Sequence, residues 1–266
     1  MKTPTADSDQ TAGNLTHKVV SRDAWLAARQ ALLAKEKEQT RAGDALAAER
    51  RQLPWVKVEK DYLFDSPQGR VRLADLFHGR SQLVIYHFMF GPEWEEGCKS
   101  CSFVIDHLNG LPVHLAARDV TLVAVSGAPL PKLQAFKARM GWRVPWVSSL
   151  GSEFNHDFAV TFTPEELESG QKLYNFGTRA PYSDENPGMS TFYRNSAGDI
   201  FHTYSTYARG LEPLLMSYFI LDRVARGRDE DALDFPMAWV RHHDRYSTEA
   251  TAAAESGCCS TREVHS

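Results

Sequence analysis

Apolar positions along the chain change their period at two places, and each change marks a boundary. Between residues 21 and 51 they fall at helical spacing, Trp25, Ala28, Leu32 and Leu33, with Lys, Glu and Arg on the opposite face, while Ser21 and Asp23 supply an N-cap and an acidic first turn. The pattern predicts a helix over residues 21–40, with Gly43 interrupting it before a second helical piece at 44–51. From Pro54 onward β-rich runs alternate with turn residues. Residues 55–64 alternate and end at the turn Ser66-Pro67-Gln68-Gly69, and residues 71–77 read as a short connector. Residues 83–90, LVIYHFMF, are almost wholly apolar, as suits a central strand covered on both faces. After the loop 91–97, residues 102–117 can be helical, broken or kinked by Gly110 and Pro112. A strand follows at 120–126, then a helix opened by Pro129 with Leu133, Phe136 and Met140 on one face. A short strand is expected at 144–148 and a loop with helical pieces at 151–170. Residues 189–194 and 199–205 flank Asn195-Ser196-Ala197-Gly198 as a hairpin, and a last helix is expected over 211–225.

This order is a βαβ unit followed by an antiparallel ββα unit, the layout of a thioredoxin-like α/β domain with a central mixed sheet flanked by helices. A right-handed crossover makes 83–90 and 120–126 parallel neighbours. The expected organisation is an unstructured N-terminus over 1–17, where apolar residues are too few to offset the entropy of ordering, and a helical arm over 18–52. The thioredoxin-like domain follows at 53–246, and a flexible tail at 247–266, which has lost its large apolar residues. The arm's apolar stripe suits packing, or a homo-oligomer contact between copies of the chain.

Charge and composition narrow the function. Thirty basic against 34 acidic residues give a net charge of −4, and the chain has no dense Lys/Arg block, so nucleic acid is not an expected partner. With no secretory apolar stretch and no run near ~18 apolar residues, a membrane is not expected either, and a cytoplasmic location is. Four cysteines in 266 residues do not make a disulfide framework; a Cys-x-x-Cys pair in such a protein points to redox or metal chemistry.

That pair is Cys98 and Cys101, placed where an apolar strand ends and a helix begins, the end of an open sheet at which ligands collect. At the first turn of a helix Cys98 lies near unpaired N–H groups and the positive end of the dipole, which favour a thiolate. Cys101, one turn on, is the expected resolving thiol. Lys99 should help the thiolate, and Glu95 and Glu96 should oppose it. Inert structural thiols and half of a zinc site give the same string; zinc would need two more ligands, from Cys258 with Cys259 or from histidines such as His87 and His107. His87 reads either as a hydrogen-bonded core histidine or as a group tuning the site. His242 and His243 read as a solvated or packing pair. His202, Tyr204 and Tyr207 read as ordinary strand residues or as the wall of a substrate groove, and Arg209 as a surface or capping residue.

The segments LPWVKVEKDYLFD, YHFMFGPEWEEGCKSCSFVIDHLNG, FYRNSAGDIFHTYSTYARG and FPMAWVRHHDRY together resemble the DUF899 family of thioredoxin-like proteins, over about residues 20–246. The resemblance implies a fold related to peroxiredoxins, a dithiol at Cys98 and Cys101, and an approach loop carrying Gly91, Pro92 and Trp94. Pro92 matches the peroxiredoxin pattern, but position 95 is Glu where those sites carry a hydroxyl. Gly97 stands where thioredoxins place Trp, and Pro187 lies near the position of their strand-opening proline.

The leading expectation is therefore a thiol–disulfide oxidoreductase: Cys98 attacks a protein or small-molecule disulfide, Cys101 resolves it, Pro92, Trp94, Lys99 and His87 shape the site, and an external thiol reductant restores the dithiol with no bound cofactor or metal. A thiol peroxidase is the alternative enzyme, and a non-catalytic binding or metal-sequestering protein the alternative from another class. Cys258 and Cys259 are candidates for an electron relay or a soft-metal site.

Overall fold

In the computed structural model, which describes residues 8–12 and 15–246, the chain divides into two units, residues 1–54 and 55–266. In the first, β1 (Ser8–Ala12) pairs antiparallel with β2 (Leu15–Val19), where composition predicted no structure. Next, α1 (Arg22–Arg51) runs unbroken for 30 residues through Gly43. One glycine costs about 1 kcal/mol, too little to end a helix rich in Ala, Leu, Glu and Arg. Ser21 caps it as expected, its side chain accepting from the Ala24 N–H at 3.3 Å.

The second unit contains β3 (Val56–Lys57), β4 (Leu63–Ser66), β5 (Gly69–Arg72), β6 (Gln82–His87), α2 (Lys99–Leu108), α3 (Pro112–Ala116), β7 (Val120–Ser126), α4 (Leu130–Arg139), β8 (Trp146–Ser148), α5 (Phe154–Asp157), α6 (Pro164–Ser169), β9 (Gly188–Arg194), β10 (Ile200–Tyr207) and α7 (Met216–Leu221). Its eight-stranded sheet has the order β3-β10-β9-β6-β7-β8-β4-β5. The βαβ expectation holds: β6 and β7 are parallel, from Gln82 opposite Val120 to His87 opposite Val125. On the other side β9 runs antiparallel to β6 and β10 antiparallel to β9. This is a thioredoxin-like α/β domain.

Two elements differ from the sequence pattern. The run 55–64 does not form one strand: β3 pairs with β10 at one edge of the sheet, and β4 joins β8 at the other side. The last helix is short because Pro213 lacks the N–H that an α-helix interior needs. It turns Ala208–Leu214 into 3₁₀ geometry and leaves α7 only six residues.

Strand periodicity splits the core in two. Leu83 and Ile85 face a cluster with Phe64, Phe77, Phe154 and Phe192, whereas Tyr86 and Phe88 face Cys101, Val104, Phe136 and Trp146. His87 therefore lies on the face away from the dithiol. It stacks against Phe154 and Phe158, with centroids 5.6 Å away in each case, and its Nε2 lies 2.8 Å from Ser190 Oγ. Among the described residues no helix is long and apolar enough to cross a membrane.

Burial, with a smaller contribution from His202, lowers the His87 pKa from 6.5 to about 3. Between those values the unfolded chain binds a proton that the folded chain refuses, so stability falls as pH falls. Urea unfolding at stepped pH should show this loss below about pH 6.5, and His87→Gln should make the slope shallower by roughly one proton, about 1.4 kcal/mol per pH unit. An unchanged slope would remove His87 as the buried base.

Candidate functional site

The dithiol sits where β6 gives way to α2. Cys98 is the N-cap of α2, with φ −54° and ψ 130°, and its own N–H is tied back to the Met89 carbonyl at 3.0 Å. Its carbonyl accepts from both the Ser102 N–H and the Ser102 hydroxyl at 2.9 Å, which fixes the first turn. Cys98 is half-buried, whereas Cys101 is sealed beneath it with 1% of its surface exposed. The residue before Cys98 approaches the core so closely that only glycine fits. A Cβ on Gly97 would stand 2.7 Å from the Phe88 ring and 3.1 Å from that of Phe136.

This arrangement drives the two thiols apart in acidity. A hydrogen bond from the Cys101 thiol is the largest influence on Cys98; burial opposes it, and the backbone N–H groups of Cys101 and Ser100 and the charge of Lys99 assist, giving a pKa of about 7. Burial, and the proton it shares toward Cys98, push Cys101 well above the ordinary range. The more exposed sulfur is thus the more acidic one.

Lys99 contributes only this long-range charge. Its ammonium turns to the Ala238 carbonyl at 3.4 Å and lies 5.7 Å from the centre of the Phe235 ring. Glu96 does not act on the thiolate as an unpaired anion. Against the opposing effect of burial, Arg245 and Arg139 hold its carboxylate below the usual range, with an Arg139 contact of 2.7 Å. Arg139 also grips Asp244 at 2.7 and 2.9 Å. His242, read from sequence as a solvated or packing residue, is buried and donates from Nε2 to the Gly97 carbonyl at 2.8 Å. His243 reaches Asp106 at 2.7 Å. Residues 235–245 therefore form a strap across the start of α2.

The loop at residues 91–97 is held from two sides. Lys132 on α4 donates to the carbonyls of Pro92 and Trp94, each at 2.9 Å, and the Trp94 indole donates to Asp184 at 3.3 Å. Pro92 is exposed and Trp94 half-buried. Beside Asp184, Glu185 is only 2% exposed and accepts from the Thr161 hydroxyl at 2.9 Å; burial raises its carboxyl to about 8. It packs against the backbone of Gly91 and Gly127, at the carboxyl ends of β6 and β7.

Sequence reasoning missed Lys132, Glu185 and the strap, since no local motif ties them to residue 98. The structure does not bring His87 to the dithiol. His87 instead continues through Ser190 and Ser205 to His202, with steps of 2.8, 2.8 and 2.7 Å. His202 and Tyr207 line a groove of about 530 Å³ with Phe158 and Phe176. Cys258 and Cys259 lie outside the described residues.

Gly97→Ala tests the packing at this site. The added methyl must displace Phe88 or the start of α2, so a stability loss of about 1–3 kcal/mol is expected. In the same variant the pH midpoint of Cys98 alkylation should move from about 7 toward that of an ordinary thiol. Wild-type values for both would show that the contact does not set the site.

Comparison with known proteins places this geometry in context. A search of curated proteins found no match. Among solved structures, similarity extends to a cysteine-to-serine mutant of PrxQ from Xylella fastidiosa, at 14% identity and a TM-score of 0.39, covering 62% of this chain and 94% of that one. Peroxidoxin BcpB from Mycobacterium tuberculosis gives 14% identity and 0.34, covering 61% and 94%. A protein of Bacteroides vulgatus provisionally named a thiol-disulfide oxidoreductase gives 14% and 0.34, covering 59% and 92%. The family model described as bacterial protein of unknown function (DUF899) matches residues 14–246, and the chain belongs to that family.

Proposed function

We propose that the protein is a thiol–disulfide oxidoreductase in which Cys98 is the nucleophile and Cys101 the resolving thiol. One observation carries the reading: the half-buried Cys98 caps a ten-residue helix with Cys101 sealed one turn below it, a placement that also lowers the Cys98 thiol to about 7. An attacking thiol is most effective when its pKa lies near the ambient pH, because thiolate fraction and intrinsic nucleophilicity then balance. Attack by Cys98 forms a mixed disulfide, and attack by Cys101 on Cys98 releases the reduced substrate. A protein or small-molecule disulfide is the substrate class and an external thiol the reductant. Pro92 and Trp94, pinned by Lys132 and Asp184, border the approach.

Limiting iodoacetamide at neutral pH, followed by peptide mass spectrometry, should label Cys98 before Cys101, and Cys98→Ser should abolish turnover of a model disulfide while leaving the fold intact. Faster labelling of Cys101, or turnover surviving in Cys98→Ser, would overturn the assignment. Rapid mixing with hydrogen peroxide separates the peroxidase alternative: oxidation of Cys98 far faster than that of a free thiolate would replace disulfide exchange with peroxide reduction as the reaction.

A further inference from the structure

A nucleophilic sulfur needs a fixed direction as well as an acidic environment, and at Cys98 one peptide bond sets it. The unit joining Gly97 to Cys98 is planar. Its N–H donates to the Met89 carbonyl at 3.0 Å, and its oxygen accepts from Nε2 of His242 at 2.8 Å. Rotation of the plane would break one bond or the other, and from this plane Cys98 departs with φ −54° to cap α2. A carbonyl oxygen only accepts, so Nε2 of His242 carries a hydrogen. The other ring nitrogen, Nδ1, lies 3.4 Å from Nη2 of Arg139, and a guanidinium only donates. Nδ1 therefore accepts, and the ring takes the Nε2–H tautomer. Arg139 is aimed in turn by Asp244, which takes its Nε and Nη2 at 2.7 and 2.9 Å. Glu96 stands 3.7 Å from Nδ1 with its carboxylate spent on Arg139 and Arg245. The imidazole is buried edge-on against Phe136, with centroids 5.2 Å apart, and Phe136 is one of the two rings that crowd Gly97.

Building on the oxidoreductase reading, we propose that His242 is a positioning residue for the attacking thiol: by holding the Gly97 carbonyl it fixes the peptide from which Cys98 caps α2, and so keeps the sulfur at the helix end where backbone N–H groups are unpaired. Both ring nitrogens are occupied, so His242 is not a base for the thiol and acts through Gly97. Without its N–H the peptide is free to turn about the Met89 anchor. The Cys98 sulfur then swings away from the groups that favour its anion. The charged and titratable groups around this unit are Glu96 from the loop, Arg139 from α4, and Asp244 and Arg245 from the strap, with Lys99 and Cys101 from α2 and Tyr86 from β6. Substitution of His242 leaves all of them in place, so a changed acidity at Cys98 reports its position.

Two substitutions in the full chain separate the donor from the ring. His242→Leu keeps the bulk and removes the N–H, whereas His242→Gln keeps an N–H donor near the place of Nε2. The pH midpoint of Cys98 alkylation by iodoacetamide, read by peptide mass spectrometry, should rise from about 7 by roughly one unit in His242→Leu, the size of one hydrogen bond to a charged group. In His242→Gln it should stay near the wild-type value. A purely structural role would lower the urea midpoint of both variants and leave the alkylation midpoint in place. An unmoved midpoint in His242→Leu, or an equal rise in both variants, would overturn the proposal. The first release of coloured thiolate from the aromatic disulfide 5,5′-dithiobis(2-nitrobenzoate) should slow about twofold in His242→Leu at pH 7, the loss of thiolate being partly offset by its greater nucleophilicity. If wild-type protein releases none, the oxidoreductase reading fails and takes the role in attack with it; if wild-type protein releases it and the alkylation midpoint does not move, His242 alone is set aside. Should His242→Leu not fold, long-range proton–nitrogen NMR of the wild-type ring gives the answer: hydrogen on Nε2 supports the assignment, and hydrogen on Nδ1 alone refutes it.

Discussion

The site depends on how closely the backbone at Gly97 lies against the ring of Phe88. That contact, too close for any side chain at residue 97, brings the end of the β6 segment and the start of α2 together without a spacer. Cys98 is left at the cap position, where unpaired backbone N–H groups act on its sulfur, and Cys101 falls one turn below, inside the core. The difference in acidity between the sulfurs follows from this placement. Cys98 is half-buried and Cys101 is sealed one turn below it, so burial pushes Cys101 up while Cys98, beside it at the cap, is held lower.

The two faces of the sheet carry different chemistry because β6 alternates strictly. Tyr86 and Phe88 turn toward the dithiol helix. His87 turns the other way, into a stack of phenylalanines and a line of hydroxyls leading to His202. A buried imidazole with a depressed pKa is often read as an active-site base. Here the intervening sheet separates it from the thiols, and its electrostatics bear on stability instead.

What the sequence makes legible is what is local. Residues 120–126 form β7, the hairpin at Asn195 joins β9 to β10, and the dithiol opens a helix after an apolar run. Alternation over residues 55–64 shows β character but carries no information about which edge is paired, and the segment is divided between the two sides of the sheet. Gly43 looks like a stop, yet a helix of 30 residues absorbs it. Glu96 looks like an unpaired negative charge beside a thiolate until Arg139 and Arg245, one of them far along the chain, are folded onto it. The polar residues of the site were missed where their partners lie beyond the reach of any spacing rule.

The strap at residues 235–245 has a consequence for how the protein is made. The hydrogen bond from His242 to Gly97 spans 145 positions. At a synthesis rate of about 5–20 residues per second, the strap leaves the ribosome roughly 7–30 s after the dithiol. For that interval the nascent chain carries the thiols without the groups that fix the start of their helix, exposed to chance oxidation and to wrong partners. The last described residues of the chain thus act as a late closing step, and a cell that slows translation near the end lengthens the time for which the dithiol is unprotected.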